Sequence, residues 1–323
     1  MFPFEWIQQA HERIAPYIKT TPLTRVTSLD AFIKWENHQI TGSFKARGAI
    51  NKVLSLQPWE REHGLVAVSA GNHGQGVALA GNLVNTQVTV FCSENAVLAK
   101  VAAMRRLGAQ VIPVSGGYAE AERAGKSFAT ERGAAWISPY NDSQVIAGQG
   151  TIALEVFQQA PELADAACWL VPISGGGLIA GIAVAVKERN PDAKVIGVQT
   201  YAAPFFYGLF YQGSQENIAE TPSLADGLAG PVEEGSLTIP VVREYVDEII
   251  LITEQDIEKA IAWTWSVMGE IIEGSAAVTL AALFQSLHIP RPAIAVVSGG
   301  NIQPEVHQQI VSKFGDSSQS DPA

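Results

Sequence analysis

From Gly64 onward the chain alternates short apolar runs with longer amphipathic segments. GLVAVSA reads as a buried strand, followed by a glycine-rich turn and a helix through GVALAGNLV. QVTVFCS is the next strand, and NAVLAKVAAMRRLG a helix that stops at a glycine. AQVIPVS precedes a helix through YAEAERAGKSFATERG, and AAWISPY precedes one through QVIAGQGTIALEVFQQ. ACWLVPIS, GLIAGIAVAVKERN and KVIGVQT repeat strand, helix and strand. VDEIILIT, a helix opened by Thr253 with Asp256 three residues on, and AIAVVSGGN close the series. Strands this apolar, separated by helices, belong to parallel sheets covered on both faces, so the predicted fold class is α/β. Ahead of the series, MFPFEWIQQAHERIAP has a helical pattern with one apolar face. The Ser/Gln/Asp-rich tail after Phe314 is expected to be disordered. No tandem repeat is visible, and a second domain is suggested without a linker to mark its edge.

Composition narrows the partners. The 323 residues include 21 basic and 32 acidic side chains, for a net charge of -11, which disfavours nucleic acid and anionic membrane. The N-terminus lacks the basic leader and apolar stretch of a secretory signal, and GLIAGIAVAV is too short to span a bilayer. Cys92 and Cys168 have apolar neighbours and read as buried free thiols in a reducing compartment. A cytoplasmic protein is the expectation.

In parallel sheets, ligands bind beyond the carboxyl ends of strands, which turns attention to SAGNHGQG (69–76), SGGGLIAG (174–181) and SGGN (298–301). The glycines of the second let backbone N–H groups face one concavity at a helix start. Taken alone, that loop fits a compact phosphate, a plain tight turn or a dinucleotide. The dinucleotide reading wants an acid at the end of the next strand, where KVIGVQT supplies Gln199 and Thr200. Asn72 and His73 follow an apolar strand; Ser69 or Asn72 could simply cap a helix, or the backbone amides could grip a carboxylate. Lys45 lies in TGSFKARG, flanked by small residues and Phe44. A phosphate cradle, a carboxylate-gripping loop and such a lysine together describe an aldehyde cofactor attached as an imine, because a buried amine loses its proton readily.

KWENHQITGSFKARGAI, VSAGNHGQGVALA, SPYNDSQVIAGQGTIALE, VPISGGGLIAG, SLADGLA and VVSGGN occur in the order expected of the serine/threonine dehydratases. The chain resembles that family, within the tryptophan-synthase-β-like, fold-type II enzymes that use pyridoxal phosphate, from about Thr21 to Asn301. The resemblance implies two domains built on open, twisted, parallel-rich sheets covered by helices. A large discontinuous cofactor-binding domain would span 1–48 and 145–323, and a small one carrying the asparagine loop 49–144. It implies that Lys45 carries pyridoxal 5'-phosphate as an imine and that Phe44 packs against the ring. Asn72 would bond the ring hydroxyl, and Ser298 the pyridine nitrogen. Ser174, Gly175, Gly176, Gly177 and Leu178 would hold the phosphate, and Ser69, Ala70, Asn72 and His73 the substrate carboxylate. The implied reaction is loss of water from a β-hydroxy amino acid such as threonine or serine, giving a 2-oxo acid and ammonia. Lys45 would take the α-proton.

The sequence also departs from its relatives. Ala70 stands where the serine-racemase branch has a proton-delivering serine, which disfavours racemisation. Gln199 and Phe205 stand where the cation-binding branch has carboxylates, so no divalent metal is expected there, while a monovalent ion held by carbonyls stays open. The 23–34 stretch looks shorter than in relatives, so a strand or turn beside the site is expected to be trimmed. Ser174 replaces a glycine at the head of the phosphate loop, a neutral change. Glu273 in EGSAA is either near the cofactor or an ordinary helix-start acid. The chain stops soon after SGGN, where feedback-controlled relatives carry a regulatory domain, so a catabolic or specialised member is expected. Alternative substrates are 3-hydroxyaspartate or an intermediate of ectoine breakdown. Alternative functions are β-replacement, whose asparagine loop typically has threonine where His73 stands, and ligand binding without catalysis. The family implies a homodimer.

Overall fold

The computed structural model describes residues 2–164, 168–285 and 288–314. The tail expected to be disordered lies outside the described residues. Among the described residues ten strands, β1 (Leu23–Val26), β2 (Ala31–Trp35), β3 (Leu65–Val68), β4 (Val88–Ser93), β5 (Gln110–Val114), β6 (Ala135–Trp136), β7 (Cys168–Pro172), β8 (Val195–Thr200), β9 (Glu248–Ile252) and β10 (Ala293–Val297), form two sheets. The larger has the order β1-β2-β10-β7-β8-β9 and the smaller β5-β4-β3-β6. All neighbours run parallel except β1 with β2. Both sheets have helices between successive parallel strands, and β3, β7, β8 and β10 are buried at every position. That is the arrangement the unbroken apolar runs predict.

The differences from the sequence reading are local. AAWISPY yields only a two-residue strand, because Pro139 has no N–H for the ladder. The stretch expected to be trimmed is a complete antiparallel hairpin in which Leu23 faces Lys34 and Val26 faces Ala31, so both of its strands are present. All four strands of the smaller sheet fall within 65–136. The expected boundaries at 48/49 and 144/145, however, fall inside the helices Lys45–Ser55 and Ser143–Gln159 rather than in loops. Thr253 does cap its helix, its side chain accepting from Asp256 N. Cys92 and Cys168 are free and buried. Among the described residues no helix is long and apolar enough to cross a membrane.

One polar cluster is enclosed between the sheets' covering helices. Arg47 is fully buried and makes a two-pronged bond to Glu36, from Nε at 2.7 Å and Nη2 at 2.8 Å. Its Nη1 and Nη2 also reach the two oxygens of Glu155, at 2.7 and 2.9 Å. Lys34 Nζ bonds Glu155 at 2.8 Å, Thr21 O at 2.8 Å and Gln159 Oε1 at 2.9 Å. Two cations thus meet two anions with their donors occupied, the condition under which buried charge is tolerated. The cluster ties β2 and the helix that begins at Lys45 to the Ser143–Gln159 helix.

Candidate active site

Four loops at the carboxyl ends of parallel strands converge: 36–44 after β2, 69–71 after β3, 173–176 after β7 and 298–301 after β10. The first and last are stitched together. Ser43 bridges Gly299, Phe44 N donates to Ser298 O at 3.0 Å, and Gly300 N donates to Gly42 O at 2.9 Å. Lys45 is the first residue of its helix and is half-buried. Its Nζ donates to Pro139 O at 2.9 Å and lies 5.1 Å from the centre of the Phe44 ring. Burial pulls the Lys45 ammonium down to about 8, against an upward pull from the Glu273 carboxylate. An amine in that range is neutral often enough at neutral pH to act as nucleophile or base.

The glycine loop lies on the other side of Pro139 and Tyr140. Gly176 has φ +86°, a conformation open to glycine, and a side chain at Gly175 would come within 2.4 Å of the Tyr140 ring. Tyr140 cannot retreat easily, since its hydroxyl accepts from Glu233 N at 2.9 Å. Thr238 Oγ1 donates to Gly175 O at 2.7 Å and fixes the loop from behind. The first helical bond runs from Ala180 N to Gly176 O, so the amides of Gly177 and Leu178 before it have no helical carbonyl to bond. With no carboxylate in Ser174–Leu178, that row of donors suits a dianionic phosphate.

Around the asparagine loop, Ser69 Oγ accepts from Gly71 N at 3.0 Å, and Ala70 is exposed. The first bond of the Asn72–Leu83 helix runs from Gln75 N to Gly71 O, which leaves the N–H groups of Asn72, His73 and Gly74 ahead of it. His73 is buried, with Nε2 2.9 Å from Ile137 O. Burial, then the charge of Lys45, push its imidazole down to about 3, so the ring is neutral and Nε2 is the donor to Ile137 O. That donor is occupied, and a carboxylate could meet only the backbone of His73.

Asn72 Oδ1 accepts from Asn301 Nδ2 at 2.7 Å, and Asn72 Nδ2 donates to Glu273 Oε1 at 2.8 Å. Asn301 Nδ2 also donates to Thr41 O at 2.9 Å. Glu273 is therefore beside the asparagine loop as well as just ahead of the Gly274–Gln285 helix, and the two sequence readings of it are compatible. The structure brings together Phe44, Lys45, Asn72, the 174–178 loop and Ser298, with Ser69, Ala70 and His73 on the adjoining turn. Asn301, Tyr140 and Thr238 complete the surroundings of the site. Asn301 and Tyr140 lie in the SGGN and SPYN stretches, while Thr238 carries no local signal. Gln199 is buried, its Oε1 accepting from Tyr207 N at 3.0 Å. Among the described residues no group of three or more His, Cys, Asp or Glu could hold a metal ion.

Residues 10–299 match the family described as pyridoxal-phosphate dependent enzyme. The chain is 40% identical over 320 residues to an L-threonine ammonia-lyase of Thermotoga maritima, covering 97% of this chain and 79% of that protein. Among solved structures, it superposes on maize serine racemase with TM-score 0.87 at 33% identity, covering 97% of this chain and 98% of that one. The serine racemase of Dictyostelium discoideum gives TM-score 0.84 at 35% identity, covering 93% and 98%. A threonine deaminase from Solanum lycopersicum, the processed form of isoform 2, gives TM-score 0.87 at 29% identity, covering 97% and 93%.

Proposed function

The chain belongs to the pyridoxal-phosphate dependent enzyme family, and from that premise we propose that it is an ammonia-lyase acting on a β-hydroxy amino acid such as threonine or serine. The observation that carries the reading is Lys45: a half-buried amine drawn down to about 8, between a cradle of free amides and an asparagine loop. The residues fit the cofactor. Lys45 Nζ would hold its aldehyde carbon, Phe44 its ring face, Asn72 its ring oxygen and Ser298 its ring nitrogen. The amides of Ser174, Gly175, Gly176, Gly177 and Leu178 would hold its phosphate. When bound, the cofactor withdraws electrons from the substrate's α-carbon and makes the hydrogen there acidic.

The protein's own groups do the rest. Ser69, Ala70, Asn72 and His73 would orient the substrate carboxylate through the backbone N–H groups at the helix start. Lys45 Nζ, neutral above about pH 8, would accept the α-proton. Ser298 is a neutral partner for the ring nitrogen and does not force a proton onto it. Ala70 has no proton to deliver to the opposite face, which favours elimination over the racemisation named for the maize neighbour. We read the two sheets as two lobes, 1–48 with 145–323 and 49–144, the cleft between them holding the site. The protein is read as a cytoplasmic homodimer, supported by the two free buried thiols and by Trp265, Val267 and Ile271 exposed close together in sequence.

A panel of β-hydroxy amino acids, 3-hydroxyaspartate included, tests the reaction. Steady formation of 2-oxo acid and ammonia from threonine or serine is expected. Cysteine formed from an activated serine and sulfide, without 2-oxo acid, would point to β-replacement instead. For the cradle, Gly175→Ala would push a methyl group into the Tyr140 ring. The expected cost is about 1–3 kcal/mol, read as weaker reloading of apoprotein with pyridoxal phosphate. Unchanged reloading would remove the loop from the phosphate site.

A further inference from the structure

Glu273 has no task in the reaction above, yet it is buried against the groups that do. It is 8% exposed, and its Oε1 accepts from Asn72 Nδ2 at 2.8 Å. A side chain added at Gly299, the residue after Ser298, would lie 2.6 Å from the same oxygen. The carboxyl therefore sits between the residues assigned to the ring oxygen and the ring nitrogen. Asn72 cannot turn away from it, because Asn72 Oδ1 is held by Asn301 Nδ2, which is itself fixed to Thr41 O. Three charged groups face the carboxyl: Lys45 from the helix it opens, Asp226 from the 226–228 turn and Lys100 from the Leu98–Arg106 helix. Asp226 and Lys100 are paired with each other at 2.6 Å.

We propose that Glu273 is a positioning residue for the cofactor ring, acting through Asn72 and coupling the ring's surroundings to the proton concentration. The proposal rests on the roles given above to Lys45 and Asn72. Asn72 Nδ2 has two hydrogens. One is spent on Glu273, and the other is free for the ring oxygen. An ionised carboxylate accepts more strongly than a protonated acid, so it polarises Asn72 and fixes the direction of the second N–H. It also favours positive charge on the Lys45 nitrogen. A protonated Glu273 does neither to the same degree. Burial, then the charge of Asp226, push the carboxyl up to about 7, with Lys100 and the N–H groups of Asn72 and Asn301 opposing. Both forms are then populated near neutrality, and the ring senses which is present.

The test is a pH titration of the cofactor's absorption band in the holoenzyme. The wild type is expected to show a step with its midpoint near 7, where Glu273 ionises. In Glu273→Gln, which keeps the shape but cannot ionise, the band should remain and the step should vanish. Asp226→Asn removes a neighbouring negative charge and should move the step to lower pH. Lys100→Ala removes a positive one and should move it higher. A step that survives in Glu273→Gln, or a wild-type band flat within about one unit of neutrality, would overturn the proposal. If Glu273→Gln does not fold, the other two variants decide, since Asp226 and Lys100 reach solvent. Opposite displacements support the coupling, and two unmoved steps refute it. A wild-type protein with no band at all would overturn the Lys45 assignment and this proposal with it, whereas a band blind to Glu273 overturns this proposal alone.

Discussion

Lys45→Ala is expected to abolish both the cofactor's absorption band and measurable ammonia release, with turnover down by about 10²–10⁴-fold for the lost proton transfer alone. The variant loses two things at once. It loses the amine beside Pro139 and Phe44 that would hold the aldehyde, and it loses the base that would take the α-proton. The Glu273 carboxyl that faces Lys45 is engaged by Asn72 Nδ2, and His73 is held neutral with its donor nitrogen occupied by Ile137 O. Its imidazole, drawn down to about 3, is too weak a base to take an α-proton. Folding should be spared, because Lys45 Nζ makes a bond to one backbone carbonyl and no ion pair. The check is an absorption spectrum and an ammonia assay on the variant, with a melting curve beside them. Full activity in Lys45→Ala would end the assignment.

The second large effect is on stability. Arg47→Ala should destabilise the fold by about 3–5 kcal/mol, against the roughly 5–15 kcal/mol that holds a typical domain together. Burial alone would lower the guanidinium, but Glu36 and Glu155 more than offset it and hold Arg47 well above its ordinary range. Removing it leaves Glu36 with Thr21 Oγ1 and Glu155 with Lys34, two buried carboxylates sharing one cation. Arg47 is two residues beyond Lys45 in the same helical turn, so cofactor loading should fall with stability. A urea midpoint measures the first and absorbance per protomer the second. A midpoint equal to the wild type's would mean that the cluster relaxes or takes up solvent.

How far the sequence reaches can be followed residue by residue. The apolar runs behind β3, β4, β7, β8 and β10 are legible because a strand buried on both faces favours apolar residues, whereas the edge strands β5 and β9 show through a shorter apolar pattern with exposed positions. β6 falls short of its apolar run because Pro139 interrupts the ladder. The helix at Lys45 gives no local sign of its start. Phe44 stands at the cap position and offers no side-chain acceptor for the first amides. Lys45 and the glycine loop are legible as chemistry, since few roles ask for those residue types together. Asn301 is harder to read: its partners Thr41 and Asn72 are 260 and 229 residues away in the chain. Glu273 reads equally well as a helix-start acid or a site residue until the fold sets it against Asn72. Thr238 and Tyr140 acquire their places through contacts with the glycine loop that no spacing encodes.

The covalent attachment itself is the most direct measurement. The holoenzyme, reduced with borohydride, digested and mapped by mass, should carry the cofactor on the peptide containing Lys45 and on no other. A cofactor found on a different lysine, or protein that purifies with its vitamin B6 aldehyde unattached, would contradict the account at its root.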